Sequence, residues 1–509
     1  MREFYSPEPV RVDAYQAGHF ELIPTGMENF EVSQGIYRKP MWPDDHRIVS
    51  AGMAPFLKLN MEHDAIRKHD VTDAEEFYND FYIGKPYPFP KEMFMRIVKE
   101  FHGFMPIVIT ALMDGTTHYV GEPHVQVWTD EPGMAELVGW IESTMLPYLV
   151  ASSIVATKGR KRKELMMDVF KSCYPSKTTD EIHAMIQYKF HDFGRRGGPA
   201  SQITGIAHLI NWLGTDTVDA AYAATMYLNN RKKFGACSIM AAAHRTITPW
   251  PTEDEAYAHM VKKFSGNFFS IVADSYEYYG GMRKLGRYAE VIKRDNGFLV
   301  GRPDSGDPVE CVVEGLRIFD DAFGHTLQEK GLRVLKNSGI LQGDGVNDDT
   351  IFNKIYPAVI KAGYCPSNVA FGMGEHNHAA VRSQTEEGYK TCMVGIEGGF
   401  RPVMKGSNSQ FKMSLPCPVS IQSVKRHPIG PRVFPINIDQ LRVGATGDLI
   451  VQYNGRPKSL STLATHSEAF ETTRKRAYES WLRLEPKPDD TFHSDIRKMQ
   501  KEYMAKMLK

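Results

Sequence analysis

Five short apolar runs between about residues 235 and 375 each end in a polar or glycine-rich turn that carries a chemically capable group. CSIMAAAH carries His244, FFSIVADS carries Asp274, FLVGRPDSG carries Asp304, GILQGDG carries Asp344 and NVAFGMG carries Gly374. These groups are 30, 30, 40 and 30 residues apart, the length of a strand, a helix and two turns. In successive βα units each group would lie at the C-terminal end of a strand. Parallel strands would then gather all five on one rim, the face where α/β barrels place their chemistry. The recurrence is one of layout; no residue repeat accompanies it.

The segments between the runs carry helix signals. Asp307 suits an N-cap, Pro308 the first helical position, and Glu310 completes a capping box. Val309, Val312, Val313, Leu316 and Phe319 then form an apolar stripe that Gly324 can end. Thr252 and Glu255 form a second capping box before Ala256, Met260 and Phe264, and Ile351, Ile355 and Val359 mark a third helix stopped near Gly363. Elsewhere, residues 1–40 read as mostly extended, 50–105 as helical and 107–129 as strands, and MAELVGW through MMDVF reads as one or two long helices. The stretch PRVFPINIDQLRVGATGDLIVQYNG alternates like strands, and EAFETTRKRAYESWLRL is helical. Three regions follow: an α+β region over 1–180 that packs with the C-terminal region, a barrel-like region over 181–395, and a β-rich region with a terminal helix over 396–509. KGRKRK (158–163) reads as a solvated helix face or loop.

Lys+Arg and Asp+Glu both total 61, so nothing in the overall charge argues for nucleic acid or a membrane surface, and an anion site must be local. The six cysteines show no CxxC and no metal-ligand spacing, which predicts reduced thiols in a cytoplasmic protein. The N-terminal stretch is charged, without the apolar core of a signal peptide, and no run of roughly 18 apolar residues predicts a membrane span.

Each turn has a functional and an ordinary reading. In GRPDSGDP, Arg302 can fork onto phosphate and Asp304 can hold ribose hydroxyls or a magnesium shell, while Gly306 and the next helix offer N–H groups to an anion. The ordinary reading is an Asx-turn with a surface ion pair. Asp344 between two glycines suits a ribose diol, or plain turn chemistry. NVAFGMGEH resembles a phosphate-cradling turn, although Glu375 is unwelcome beside phosphate. In HDFGRRGGPASQ, Phe193 could stack a flat ring and Arg196 could bind phosphate, or the segment is a basic loop with a core Phe. Asp216 in GTDTV precedes a helical stretch and could be its N-cap. His244 could be a buried, hydrogen-bonded histidine, and with no second His or Cys at ligand spacing a zinc site is not expected.

Taken together, HDFGRRG, GTDTV, SIMAAAH, VADSY, RPDSG, QGDGV and AFGMG, with VDAYQAGHF near the start, resemble the nicotinamide phosphoribosyltransferases, a branch of the type II phosphoribosyltransferases. The resemblance implies an α/β fold: an irregular TIM-like barrel with an additional α+β domain built from the N- and C-terminal regions. It implies transfer of phosphoribose from phosphoribosyl pyrophosphate to nicotinamide, a homodimer with active sites at the interface, a Mg²⁺ requirement, and ATP as a stimulating co-substrate that phosphorylates His244. By the same resemblance Phe193 stacks on the pyridine ring, with Tyr15 and Asp13 supplied by the partner chain. Arg196, Arg302 and Asp304 hold the ribose phosphate and pyrophosphate region. Asp274, with Asp304, sits near the metal, which is held through pyrophosphate. Ser238 joins the substrate-binding set, Gly343 and Asp344 contact the ribose, and Gly374 contacts its 5′-phosphate. Arg382 and Lys390 of the partner chain, with Lys405 and Ser407, meet phosphate around the nucleotide. His244, Asp274 and Asp304 are the implied catalytic groups.

The chain departs from the family's pattern at three places. Ala243 stands where Glu commonly precedes the histidine, Glu375 and His376 interrupt a glycine-rich turn, and Arg195-Arg196 replaces the more usual Tyr-Arg. The residue types also make sense without the family. Arginines and Mg²⁺ stabilise a charged leaving group, and fixed carboxylates tolerate a positive ribose ring. An ionised Asp216 only accepts hydrogen bonds, so it favours an amide over a carboxylate. The alternatives are a nicotinate phosphoribosyltransferase and a catalytically silent binding or signalling member. An aldolase-like barrel lacks its lysine, since none of the five turns carries one.

Overall fold

The computed structural model describes residues 6–62, 65–82, 89–197, 200–407, 413–423, 431–456, 464–465, 468–488 and 490–508, with the side chains of Arg196, Ala464 and Thr465 left out. The chain forms two compact units, each discontinuous in sequence: 1–157, 226–231 and 380–509 in the first, 158–225 and 232–379 in the second.

The first unit is built on a seven-stranded antiparallel sheet. Its order is Gly399–Pro402, Gly388–Ile396, Glu31–Ile36, Pro123–Thr129, Val108–Ala111, Ile450–Asn454 and Ala464–Thr465. Strands from the beginning and the end of the chain therefore share one sheet. Glu31–Ile36 pairs on one side with Gly388–Ile396 and on the other with Pro123–Thr129. Phe56, Phe94, Ile97, Ile109, Val127 and Trp140 are fully buried in one of its apolar clusters. Burying side chains of this size contributes on the order of 2 kcal/mol each before entropy is counted.

The second unit holds a parallel sheet of six strands: β1 Phe190–Asp192, β2 Met240–Ala241, β3 Phe268–Val272, β4 Phe298–Arg302, β5 Ser338–Gln342 and β6 Val369–Met373. Their spatial order is β1-β6-β5-β4-β3-β2, and every pairing is parallel. Strands β5 and β6 are buried almost throughout, as a parallel sheet covered on both faces requires. At the β1 end, residues 213–216 continue the pattern. Leu213 N–H donates to Gln187 and Asp216 N–H to Asp192, while Cys237 N–H donates to Leu213 and Thr215 N–H to Cys237, just before β2.

The N-caps and helix stops hold, whereas the return bonds from Glu310 and Glu255 that would complete the two capping boxes are not among the bonds of these helices. Asp307 Oδ1 accepts the N–H groups of Val309 and Glu310 at 3.0 and 2.9 Å, and the helix Pro308–Phe323 ends at Gly324 with φ 71°. A cap of this kind is worth about 1 kcal/mol. Thr252 caps Glu253–Phe264 in the same way. The third helix begins as a π-helical turn, Thr350–Ile355, and continues as Tyr356–Lys361 before Gly363.

Four expectations differ from the structure. Residues 6–30 are mostly short 3₁₀ turns (Glu8–Val10, Ala14–Glu21, Met27–Asn29), and only Glu31–Ile36 is extended. The helix Ile438–Arg442 interrupts the alternating stretch after 431, because Asn437 caps it by accepting from Gln440 N–H. KGRKRK is not solvated: it lies within the helix Glu142–Cys173, where Arg160, Arg162 and Lys163 are each 1% exposed. The unit carrying the parallel sheet runs from 158 to 379 rather than from 181 to 395, since Gly388–Ile396 is committed to the antiparallel sheet. Finally, Glu136–Cys173 contains an 18-residue window of mean hydropathy 1.2, long and apolar enough to span a membrane by composition, but 56% of that window is buried inside the protein, as in a core helix.

Candidate active site

All five loaded turns follow the C-terminal ends of parallel strands. His244 lies three residues beyond β2, Asp274, Asp304 and Asp344 two residues beyond β3, β4 and β5, and Gly374 directly after β6. A cleft of about 870 Å³ opens at this rim. Its lining includes Phe193, Asp216, Arg302, Asp304, Asp344 and Gly374.

His244 stands against two carboxylates, of which Asp304 lines the cleft. His244 Nε2 is 3.3 Å from Asp304 Oδ2 and 3.8 Å from Asp274 Oδ1, and its Nδ1 is 3.1 Å from the Ser275 hydroxyl. The ring is 43% exposed, so the buried-histidine reading does not apply. Asp274 has a divided role. Its Oδ2 accepts from Asp304 N–H at 3.1 Å and from the Ser305 hydroxyl, which pins the β4 turn. Its Oδ1 is buried without a hydrogen-bond partner. Arg302 is not in a surface ion pair: it is 16% exposed, its Nε lies 4.0 Å from Asp304 Oδ1, and that Nε–H is buried and unpartnered. Unsatisfied buried donors and acceptors are costly in a resting protein, and they mark where a ligand would complete the bonding.

Phe193 follows β1, held by its N–H donating to Met373 at 3.1 Å. Its ring lies against Gly372 and Gly343, and a Cβ placed at Gly372 would come within 2.2 Å of it. Asp216 is no N-cap. Thr217 holds that position, and the Asp216 carboxylate instead accepts the Ser238 hydroxyl, with His191 Nδ1 3.9 Å away. Beneath this loop the buried Asp192 carboxylate accepts from Thr217 at 2.6 Å, and the same hydroxyl accepts Gly194 N–H at 2.9 Å. Although burial alone would raise it, hydrogen bonds to its oxygens, the Thr217 hydroxyl among them, hold the Asp192 carboxyl below the usual carboxylate range. Gly345, at φ 64°, turns the β5 loop where a side chain would be strained.

The described residues thus bring together Phe193, Asp216, Ser238, His244, Asp274, Arg302, Gly343, Asp344, Asp304 and Gly374 in the second unit. The Arg196 side chain lies outside the described residues, and Arg195 lines the cleft. Asp13, Tyr15, Arg382, Lys390, Lys405 and Ser407 belong to the first unit. Tyr15 is 68% exposed there. Burial lowers the Lys390 ammonium pKa while Glu142 opposes the shift, with Arg38 and Lys405 as like-charged neighbours. Asp13 and Arg382 act on the same Glu142, so these groups form one charged cluster. Ser275, Ser305 and Asn347 are site neighbours that the sequence reading did not single out. Ser275 and Ser305 each follow a singled-out aspartate, and that adjacency was the available signal.

Residues 188–410 match the model of the nicotinate phosphoribosyltransferase (NAPRTase) family. The chain is 31% identical over 414 residues to a nicotinamide phosphoribosyltransferase of Xanthomonas campestris, covering 78% of this chain and 83% of that protein. The chain belongs to the nicotinamide phosphoribosyltransferases. It is a pentosyltransferase by that membership. A second relative, the nicotinamide phosphoribosyltransferase of Acinetobacter baylyi, is 24% identical over 74% of this chain and 79% of its own length. Two solved structures share the fold with a TM-score of 0.58 and 14% identity. One is human nicotinic acid phosphoribosyltransferase (97% of this chain, 99% of that one); the other is a nicotinate-nucleotide pyrophosphorylase from Pyrococcus furiosus (95% and 99%).

Proposed function

We propose that the chain transfers phosphoribose from phosphoribosyl pyrophosphate to nicotinamide, giving nicotinamide mononucleotide and pyrophosphate, in the salvage branch of NAD synthesis. The observation that carries this reading is the lining of one cleft. A ring that can stack (Phe193), an amide acceptor (Asp216), an arginine whose Nε–H is buried without a hydrogen-bond partner (Arg302) and two carboxylates (Asp304 and Asp344) face the same space. The nicotinamide ring nitrogen donates its lone pair to C1 of the ribose while the C1–O electron pair leaves with pyrophosphate. Arg302 stabilises the leaving charge, and Asp344 and Gly343 hold the ribose hydroxyls. The Gly374 turn receives the 5′-phosphate, and Arg196 supports it from the β1 loop. Asp216, steadied by Ser238, accepts the carboxamide N–H and repels a nicotinate carboxylate.

Asp274 Oδ1 and Asp304 offer hard oxygen ligands for Mg²⁺, and no group of three His, Cys, Asp or Glu suited to a metal occurs among the described residues. That set fits an ion held largely by substrate oxygens, which would neutralise the pyrophosphate charge. The six parallel strands, with 213–216 bridging β1 to the segment before β2, would close as an irregular barrel. The antiparallel unit would serve as the additional α+β domain. A homodimer would let Tyr15 and Asp13 of the partner subunit close the ring clamp, and the cations Arg382, Lys390 and Lys405, with the Ser407 hydroxyl, meet phosphate. A cytoplasmic location is part of the same proposal, supported by six cysteines without CxxC or metal-ligand spacing.

The test is a matrix of nicotinamide and nicotinate with phosphoribosyl pyrophosphate and Mg²⁺, with and without ATP. Faster nicotinamide turnover supports the reading. Nicotinate preference would replace it with the sister activity, and no product from either base would favour a silent member.

ATP is proposed to phosphorylate His244, whose exposed ring faces Asp304. With γ-labelled ATP an acid-labile label should appear on wild type and vanish in His244→Ala. Absence of label from wild type, or its persistence in the variant, would remove this role. Ala243, which lacks the carboxylate usual before this histidine, makes the ATP stimulation a point worth measuring separately from transfer.

Gly372→Ala probes the stacking face. The new methyl would overlap the Phe193 ring, so the ring must shift. The expected cost is about 1–3 kcal/mol of stability, read by thermal unfolding. The nicotinamide KM should rise about tenfold, and the phosphoribosyl pyrophosphate KM should change about twofold or less. Equal increases in both would argue against Phe193 as the ring platform.

A further inference from the structure

Arg162 lies on the helix Glu142–Cys173 and is 1% exposed, far from where a solvated basic run would place it. Its guanidinium reaches two of the cleft's turns from behind. Nε donates to Asp348 Oδ1, in the segment that follows Asp344, and Nη1 donates to Asn377 Oδ1 at 2.6 Å, three residues beyond Gly374. Asn377 is itself fully buried and donates its backbone N–H to the Gly374 carbonyl at 3.0 Å.

The chain of bonds continues. Asn377 Nδ2 is 3.3 Å from His208 Nδ1, and His208 Nε2 is 2.9 Å from the carbonyl of Gly214, two residues before Asp216. The roles are mutually consistent. A carbonyl only accepts, so His208 Nε2 carries the proton and Nδ1 accepts. Asn377 therefore presents its NH₂ to His208 and its oxygen to Arg162. Burial, which drives His208 down to about 4, keeps the ring neutral as this pattern needs. A largely buried polar chain with mutually consistent donors and acceptors favours one arrangement of the elements it joins.

We propose that Arg162 is a positioning residue for the phosphoribosyl half of the cleft. Through Asp348 and Asn377 it holds the Asp344 turn and the Gly374 turn at a fixed separation. Through Asn377 and His208 the same chain reaches the loop that carries Asp216. Only a planar fork can bond both partners, so lysine at this position keeps the charge and loses the geometry.

The inference rests on the reading of this cleft as a phosphoribosyl site. The test is steady-state kinetics on full-length wild type, Arg162→Lys, Asp348→Asn and the double variant, with thermal unfolding recorded for each. Arg162→Lys is expected to raise the phosphoribosyl pyrophosphate KM about tenfold, with the nicotinamide KM and kcat changing by about threefold or less. Asp348→Asn, at a partly exposed carboxylate (39%) that leaves the fold intact, should raise the same KM about threefold to fivefold. The double variant should be no worse than Arg162→Lys alone, because both cut the same link. Should Arg162→Lys fail to fold, Asp348→Asn carries the test by itself. A wild-type KM in Asp348→Asn, additive effects in the double variant, or both KM values rising in step with lost stability would overturn the assignment. A wild type that turns over neither base removes the phosphoribosyl reading, whereas active wild type with unaffected variants removes only the role of Arg162.

Discussion

Arg302→Ala is expected to lower kcat/KM for phosphoribosyl pyrophosphate by about 10²–10³-fold with little loss of stability. The side chain ends β4 and is mostly buried, yet its Nε–H has no hydrogen-bond partner among the described residues. Removing it therefore breaks few resting bonds, while in the proposed reaction it faces the pyrophosphate, whose negative charge grows as the C1–O bond breaks. A donor fixed in place costs no reorganisation at that moment, which is why its loss should fall on the transition state. Arg302→Lys should recover only part of the activity, because an ammonium cannot fork across two phosphate oxygens. Steady-state kinetics with thermal unfolding checks this. A variant within a few-fold of wild type would remove Arg302 from the leaving-group role.

The second large effect concerns the choice of base. Asp216→Asn should reduce the preference for nicotinamide over nicotinate by about tenfold to a hundredfold, chiefly by admitting nicotinate. The carboxylate repels a second carboxylate and accepts the amide N–H, whereas asparagine can turn its own N–H toward either base. Ser238 donates to Asp216 and steadies it, so Ser238→Ala should give a smaller change in the same direction. An unchanged ratio in Asp216→Asn would sink the specificity argument and leave the residue as a loop anchor.

The five rim groups were legible in the chain because each is a local event: an apolar run of strand length, then a turn, then a capped helix. Asp307 and Thr252 acted as the caps their neighbours implied, since an N-cap needs only a side chain and two N–H groups a few residues away. Asp274 was singled out but half its work was hidden. The oxygen that pins Asp304 and Ser305 acts across 30 residues, at a distance only the β3–β4 pairing sets. KGRKRK misled for the same reason. Positive charge in a run predicts solvent unless partners are known, and the partners of Arg162 lie 186 and 215 residues further along the chain.

By itself the sequence determined the βα grammar of residues 235–375, the family, and the list of chemically capable residues at strand ends. These follow from short-range periodicity, turn chemistry and motif. The tertiary structure decided the strand order β1-β6-β5-β4-β3-β2, the meeting of N- and C-terminal strands in one antiparallel sheet, and the buried polar chain under the cleft. Those depend on which distant groups become neighbours once apolar surface is buried, and a buried charge survives only where such neighbours complete its hydrogen bonds.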